Sequence, residues 1–162
     1  MKIQAVLLLG SNCSKKEQFI VLALEEISKK FQLVKKSAIY SSPSWGYSSE
    51  NEFINIGLVV ECASSAETLL NELLLIEKSL GRTRTKFQGY QDRCIDIDII
   101  LFGDQLIQKD NLIIPHPRMH KRRFCLVPLN EIIPNYFVPG LNKTINQLLS
   151  MCEDDSNVIC LN

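Results

Sequence analysis

From Cys94 to Ile100 the chain reads Cys-Ile-Asp-Ile-Asp-Ile-Ile, and that alternation leaves few folds open. Period two belongs to a β-strand, so Ile95, Ile97 and Ile99 share one face and Asp96 and Asp98 the other. The isoleucine face belongs against helices in a core. The two carboxylates then stand side by side on an open sheet face, where they repel each other unless a cation or arginines neutralise them.

The remaining elements fit around this strand. Ile3 to Leu9 is apolar and closed by Gly10-Ser11-Asn12, which predicts a buried strand and a turn. Ser14 and Glu17 have capping-box spacing ahead of a helical pattern in Phe19, Ile20, Ala23, Leu24 and Ile27. Leu33 to Tyr40 and Phe53 to Glu61 read as strands, with a polar loop from Ser41 to Glu52 between them. Ser64 and Glu67 repeat the cap spacing before a leucine-rich helix that Gly81 should stop. Arg82 to Asp92 forms a second polar loop. Strand, helix, strand, strand, helix, strand is the order of an α+β, ferredoxin-like sandwich: one antiparallel sheet with helices on one face. After the carboxylate strand, Gly103-Asp104 should turn into a short partner strand, Gln105 to Gln108. A last helix is expected over Thr144 to Leu149, and the acidic tail from Glu153 onward should fray.

The 162 residues are read as a single domain, with the part beyond about residue 150 peripheral. With 46% hydrophobic and 22% charged residues, a packed core is expected. Lys plus Arg balance Asp plus Glu at 18 each, which argues against a general nucleic-acid binder. Six scattered cysteines make no two-residue-gap pair, and free thiols are expected. The start of the chain, with Lys2, an apolar run and Cys13, imitates a short lipoprotein leader; Gln4 and Asn12 fit that poorly, and a first strand explains it better. No run is long enough to span a bilayer, so the chain is expected in the cytoplasm, as a monomer.

Cationic residues flank the carboxylate strand on both sides. Arg82, Arg84, Lys86 and Arg93 precede it; His116, Arg118, His120, Lys121, Arg122 and Arg123 follow. Singly each has an ordinary explanation: Arg82 and Arg84 suit a helix C-terminus, and 118–123 could be a solvated face. Together with paired carboxylates they form the charge pattern of a polyphosphate–magnesium site, metal on Asp96 and Asp98 and arginines on phosphates. No glycine-rich phosphate loop of the Walker type is present.

Ordered motifs run through the chain: Leu9-Gly10-Ser11-Asn12; Ser42-Pro43; Phe53-Ile54-Asn55; Ile76-Glu77 with Gly81-Arg82-Thr83-Arg84; Arg93-Cys94-Ile95-Asp96-Ile97-Asp98; and Ile114-Pro115-His116-Pro117-Arg118-Met119 with Arg122 and Phe124. Through these, from Leu7 to about Pro139, the chain resembles the hydroxymethyl-dihydropterin pyrophosphokinases of folate biosynthesis. The resemblance implies pyrophosphate transfer from ATP to the hydroxymethyl oxygen of a reduced pterin, with AMP released. It implies two Mg2+ ions on Asp96 and Asp98. Arg82 and Arg93 would act at the catalytic cleft, and Glu77, Arg84, His116 and Arg122 would serve ATP. Ser42, Pro43, Trp45, Phe53, Asn55 and Phe124 would hold the pterin, with the two phenylalanines as a ring clamp. No protein base is named, Asp96 being the nearest carboxylate were one required. Both polar loops look like the family's lids. The chain departs from many relatives in carrying Gly89-Tyr90-Gln91-Asp92 where they have aromatic-Gly-Pro or Asn-Ala-Pro before the arginine. Two rivals remain: a two-metal nucleotidyltransferase on a similar sandwich, and an RNA-binding ferredoxin-like module. The first has no use for a ring clamp, and the second would be repelled by Asp96 and Asp98.

Overall fold

The computed structural model describes residues 1–82 and 92–162. The first strand, β1 (Ile3–Ser11), runs two residues beyond the expected Leu9, because β4 supplies partners as far as Ser11 and β5 as far as Gly10. Gly10 and Ser11 therefore belong to the sheet, not to a turn. Then come α1 (Lys16–Lys30), β2 (Gln32–Lys36), β3 (Tyr40–Ser42), β4 (Phe53–Cys62), α2 (Ala66–Ser79) and β5 (Asp96–Phe102). The expected second strand is thus two short ones, both lying along the same edge of β4. The sheet order is β5-β1-β4 with β2 and β3 beyond, and every neighbouring pair is antiparallel, as a ferredoxin-like α+β sandwich requires.

On one face Leu7, Leu9, Ile56, Leu58, Ile97 and Ile99 pack under α1 and α2, whose Ile20, Ile27, Leu69 and Leu73 are fully buried. The isoleucine face of β5 points there, as its alternation requires. The alternation breaks beyond Ile99, where a bulge opposite Val6 and Leu7 turns Ile100 and Leu101 together to the other face.

That other face is also covered, which corrects the expectation of helices on one face only. After β6 (Ile107–Lys109), β7 (Leu112–Ile114) and a 3₁₀ turn (Met119–Lys121), α3 (Arg123–Ile132) lies across it. The β8 (Phe137–Val138) and β9 (Lys143–Thr144) pair and α4 (Ile145–Met151) complete the layer. Val6, Leu8 and Val59 meet Leu126, Leu129, Ile145 and Leu148 in this second core. Coverage stops short of Gly10, Asn55, Asp96 and Asp98, so that end of the face stays open as a cleft.

Other expectations change in detail. Ser14 does not cap α1, whose N-cap is Lys15; α2 is capped by Ser65, not Ser64. Gly81 follows α2 at φ +90°, the left-handed conformation that ends a helix. The strand after Gly103 pairs with β7 rather than returning to β5. The tail does not fray: Asp154 accepts the Arg123 backbone N–H, and β10 (Ile159–Cys160) adds to the sheet edge beside β3. The six cysteines are free. Among the described residues no helix is long and apolar enough to cross a membrane. Arg84, Lys86 and the Gly89-Tyr90-Gln91 departure lie outside the described residues, as does most of the second expected loop.

Candidate active site

Strand register builds the floor of the cleft. Asn55 on β4, Gly10 on β1 and Asp96 on β5 are paired across three strands, and Leu8 pairs with Asp98 one step along. Directly paired residues share a face, so an amide and two carboxylates project side by side. Between them Gly10 contributes no side chain. A Cβ there would stand 3.2 Å from Asn55 Oδ1, tighter than ordinary packing, so glycine keeps the floor continuous.

Two cavities meet on this floor. The first is walled by Ser42, Pro43, Trp45, Phe53, Asn55 and Phe124, the residues singled out for a flat ring. Asn55 and Ser42 are buried, and Asn55 Nδ2 donates to Ser42 Oγ at 2.8 Å, which fixes the amide's orientation. The second cavity is cationic, with His116 and Arg118 at its rim. Arg93, Asp96, Asp98 and Arg122 face both, so they form the wall the cavities share.

The charges at this wall are unevenly matched. Asp96 is held by two guanidiniums, Arg82 Nη1 to Oδ1 and Arg93 Nη1 to Oδ2, each at 2.7 Å. Arg82 Nη1 also pairs with Glu77 Oε2 at 2.6 Å, while Glu77 Oε1 accepts the Ile97 backbone N–H at 2.7 Å. Glu77 is buried, standing one layer behind the cavities, and burial raises its carboxyl against the opposing pull of Arg82. Asp98 is pushed up to about 7, first by desolvation at the foot of the cleft and then by the charge of Asp96, with Arg122 opposing.

That environment fits a divalent cation. The donors are oxygens, two positions apart on one strand, and Asp98 is raised by desolvation and by Asp96 despite Arg122 and Arg93, a strain that a bound cation would relieve.

Arg122, the N-cap of α3, has its guanidinium carbon 4.6 Å from the Trp45 ring centroid and 5.6 Å from that of Phe124. It therefore links the two cavities' walls. His116 is depressed to about 4, first by burial and then by Arg122, and is neutral at physiological pH. Its Nδ1 accepts the Arg118 backbone N–H at 3.2 Å, so the ring hydrogen is on Nε2.

Three residues of this region were missed as site residues by the sequence reading. Tyr47 packs edge-on against Phe53, with centroids 6.5 Å apart and planes at 88°. Its hydroxyl is pushed up to about 12 by burial and by its bond to Asp92. Asn12, which closes the Leu9-Gly10-Ser11-Asn12 motif but carries no expected role, is buried and bonded to Arg93. Asp92, noted only as a departure, accepts four hydrogen bonds. Polar spacing in the 43–52 loop was the available signal, but it does not say where the loop docks.

A phosphoryl-type transferase acting on a flat acceptor needs an aromatic cavity with an amide edge beside a cationic one, and the two cavities sharing the carboxylate–arginine wall have that arrangement. Comparison with known proteins narrows the class. The profile of the family 7,8-dihydro-6-hydroxymethylpterin-pyrophosphokinase (HPPK) matches residues 6–134. The chain is 34% identical over 139 residues to the 2-amino-4-hydroxy-6-hydroxymethyldihydropteridine pyrophosphokinase of Aquifex aeolicus, covering 86% of each chain. It is 35% identical over 154 residues to the enzyme of the same name from Haemophilus influenzae, covering 94% of each. The chain belongs to the HPPK family, and its reaction is pyrophosphoryl transfer in folate biosynthesis. A solved Plasmodium falciparum HPPK-DHPS with pteroate has the same fold, with TM-score 0.76 and 17% identity. That match takes in 93% of this chain but 44% of the longer one.

Proposed function

We propose that pyrophosphate passes through the shared wall, from ATP in the cationic cavity to 6-hydroxymethyl-7,8-dihydropterin in the aromatic one. The observation that carries this placement is that Arg93, Asp96, Asp98 and Arg122 face both cavities at once. A donor and an acceptor lying on either side of one wall need no further movement to react.

In this reading the pterin lies over Gly10 with Phe53 and Phe124 on its faces, in the offset or edge contacts aromatic rings prefer. Asn55 has one N–H on Ser42 and offers its carbonyl oxygen and second N–H to the ring edge. That places the hydroxymethyl group toward Asp96. The hydroxymethyl oxygen gives its proton to water and attacks the β-phosphorus, the bond from that phosphorus to the α–β bridging oxygen breaks, and AMP leaves with the oxygen. Asp96 and Asp98 are the ligands proposed for two Mg2+ ions. When bound, the ions would neutralise phosphate charge and make the acceptor hydroxyl more acidic, so no protein base is required. Arg93 and Arg122 would bear on the phosphoryl oxygens as their charge redistributes, and the His116 Nε2–H would donate to a phosphate. Arg82 bridges Glu77 and Asp96, a geometry that holds the Asp96 carboxylate steady.

Incubation with Mg2+, ATP and 6-hydroxymethyl-7,8-dihydropterin should yield AMP and the pyrophosphorylated pterin in equal amounts. A two-metal nucleotidyltransferase would instead release inorganic pyrophosphate and leave the nucleotide on the acceptor, and that product would overturn the reading.

A further inference from the structure

We infer that Asp92 is a positioning residue that fastens the 43–52 loop over the acceptor cavity, a role that rests on the pyrophosphokinase reading. Its carboxylate lies in the segment leading into β5 and gathers donors from two other segments. Oδ1 accepts from Asn12 Nδ2 at 2.7 Å, Ser49 Oγ at 2.8 Å and Tyr47 Oη at 3.0 Å. Oδ2 accepts from Asn51 Nδ2 at 2.7 Å. The three loop donors are every second residue, 47, 49 and 51, so one side of the loop is fitted to one carboxylate.

The anchor beneath is stiff. Asn12 is 1% exposed, its backbone N–H donates to the Arg93 carbonyl at 3.0 Å, and its Oδ1 accepts the Arg93 N–H at 2.6 Å. Asp92 is thus fixed by its neighbour Arg93 to the end of β1, and the loop closes by reaching it. Closure has a direct consequence for the cavity. Tyr47, held by Asp92, stands against Phe53, and Pro43 and Trp45 of the same loop form the outer wall. A carboxylate accepts all four bonds without a competing donor, and charged acceptors make the stronger hydrogen bonds. Four donors on one exposed group give the closed loop a definite geometry where any one would not.

Trp45 is the chain's single tryptophan and reports on the loop directly. Compare the wild type, Asp92→Ala, and the exchange Asp92→Asn with Asn51→Asp. In the exchange, the new amide at position 92 keeps an oxygen for Asn12, Tyr47 and Ser49, and its N–H2 meets a carboxylate at position 51. Without substrates, Asp92→Ala should make Trp45 about twice as accessible to acrylamide quenching. With them, the pterin KM should rise about tenfold, the size of effect that loss of a few such bonds produces, while kcat and the ATP KM stay within about threefold. The exchange should return quenching and pterin KM to within about threefold of wild type. Unchanged quenching and KM in Asp92→Ala would overturn the proposal. So would an equal rise in both KM values, or an exchange variant that folds normally by circular dichroism and restores nothing. Absence of transfer activity in the wild type would sink the pyrophosphokinase reading instead, leaving the quenching comparison to judge the fastening.

Discussion

Two carboxylates two positions apart on β5 live in opposite surroundings. Asp96 has a guanidinium on each oxygen, from Arg82 and Arg93, while Asp98 is raised to about 7 by desolvation and by Asp96. A carboxyl whose folded value lies above its unfolded one, about 3.9, binds more protons folded than unfolded between the two. Its contribution to stability is therefore full below about pH 4 and is lost as pH rises to about 7. Asp98→Asn should abolish that loss, so that in urea titrations without divalent ions the variant is more stable than wild type at pH 8. With Mg2+ present its turnover should fall at least about a hundredfold. Equal pH slopes in the two proteins would show that Asp98 is not raised. At the proposed ring clamp, Phe124→Ala should weaken pterin binding about tenfold and ATP binding much less; equal losses would mean that Phe124 acts by packing against Arg122. Asp96 and Asp98 could be found from sequence because period-two alternation is a local property. Asp92 and Asn12 could not, because their partners are some forty to eighty positions away and meet only when the chain is folded.

Among the helices, the termini were misplaced by one residue, and the physics of the cap says why. Ser64 and Glu67 have the spacing of a capping box, but the next residue is also serine. The chain uses Ser65, whose side chain accepts the Thr68 N–H, and leaves Ser64 Oγ beside Cys62 Sγ at 3.1 Å. Ser65→Ala should cost about 1 kcal/mol in chemical unfolding, and Ser64→Ala less than about 0.5 kcal/mol. Comparable losses would place the cap at Ser64 after all. At α4 the expected first residue, Thr144, is instead the N-cap, joined to Gln147 in a reciprocal box that the sequence reading does not name, and the helix runs from Ile145 to Met151. The strands show the same limit from the other side. Gly10-Ser11-Asn12 is turn-like in composition, yet Gly10 is paired by both neighbouring strands and Ser11 by β4. Sheet pairing is non-local, so composition alone overrules it wrongly.

For the molecule as a whole, the ferredoxin-like order of elements was legible, but the second helical layer was not. Its helices are short, α3 contains Pro128, and neither shows a long apolar period. Yet this layer places Arg122 and Phe124 over the carboxylates, and the C-terminal tail braces both it and the sheet edge, at one point each. Asp154 accepts the Arg123 N–H in the first turn of α3, one residue from both Arg122 and Phe124. Farther on, Ile159 and Cys160 pair with Ser41 and Tyr40 of β3, and the Leu161 N–H donates to the Ile39 carbonyl at 2.9 Å. The strand so braced carries Ser42, the partner of Asn55. Removing residues 153–162 takes nothing from either buried core, so the shortened protein should fold. Its Tm should drop by about 4 °C, the shift that 1–2 kcal/mol produces in a chain of this size. Because both braces act on walls of the aromatic cavity, the pterin KM should rise more than the ATP KM. If β3 is held well enough by its three-residue register with β4, the Tm will fall while both KM values stay put. That result would make the tail a stabilising strand with no bearing on the site.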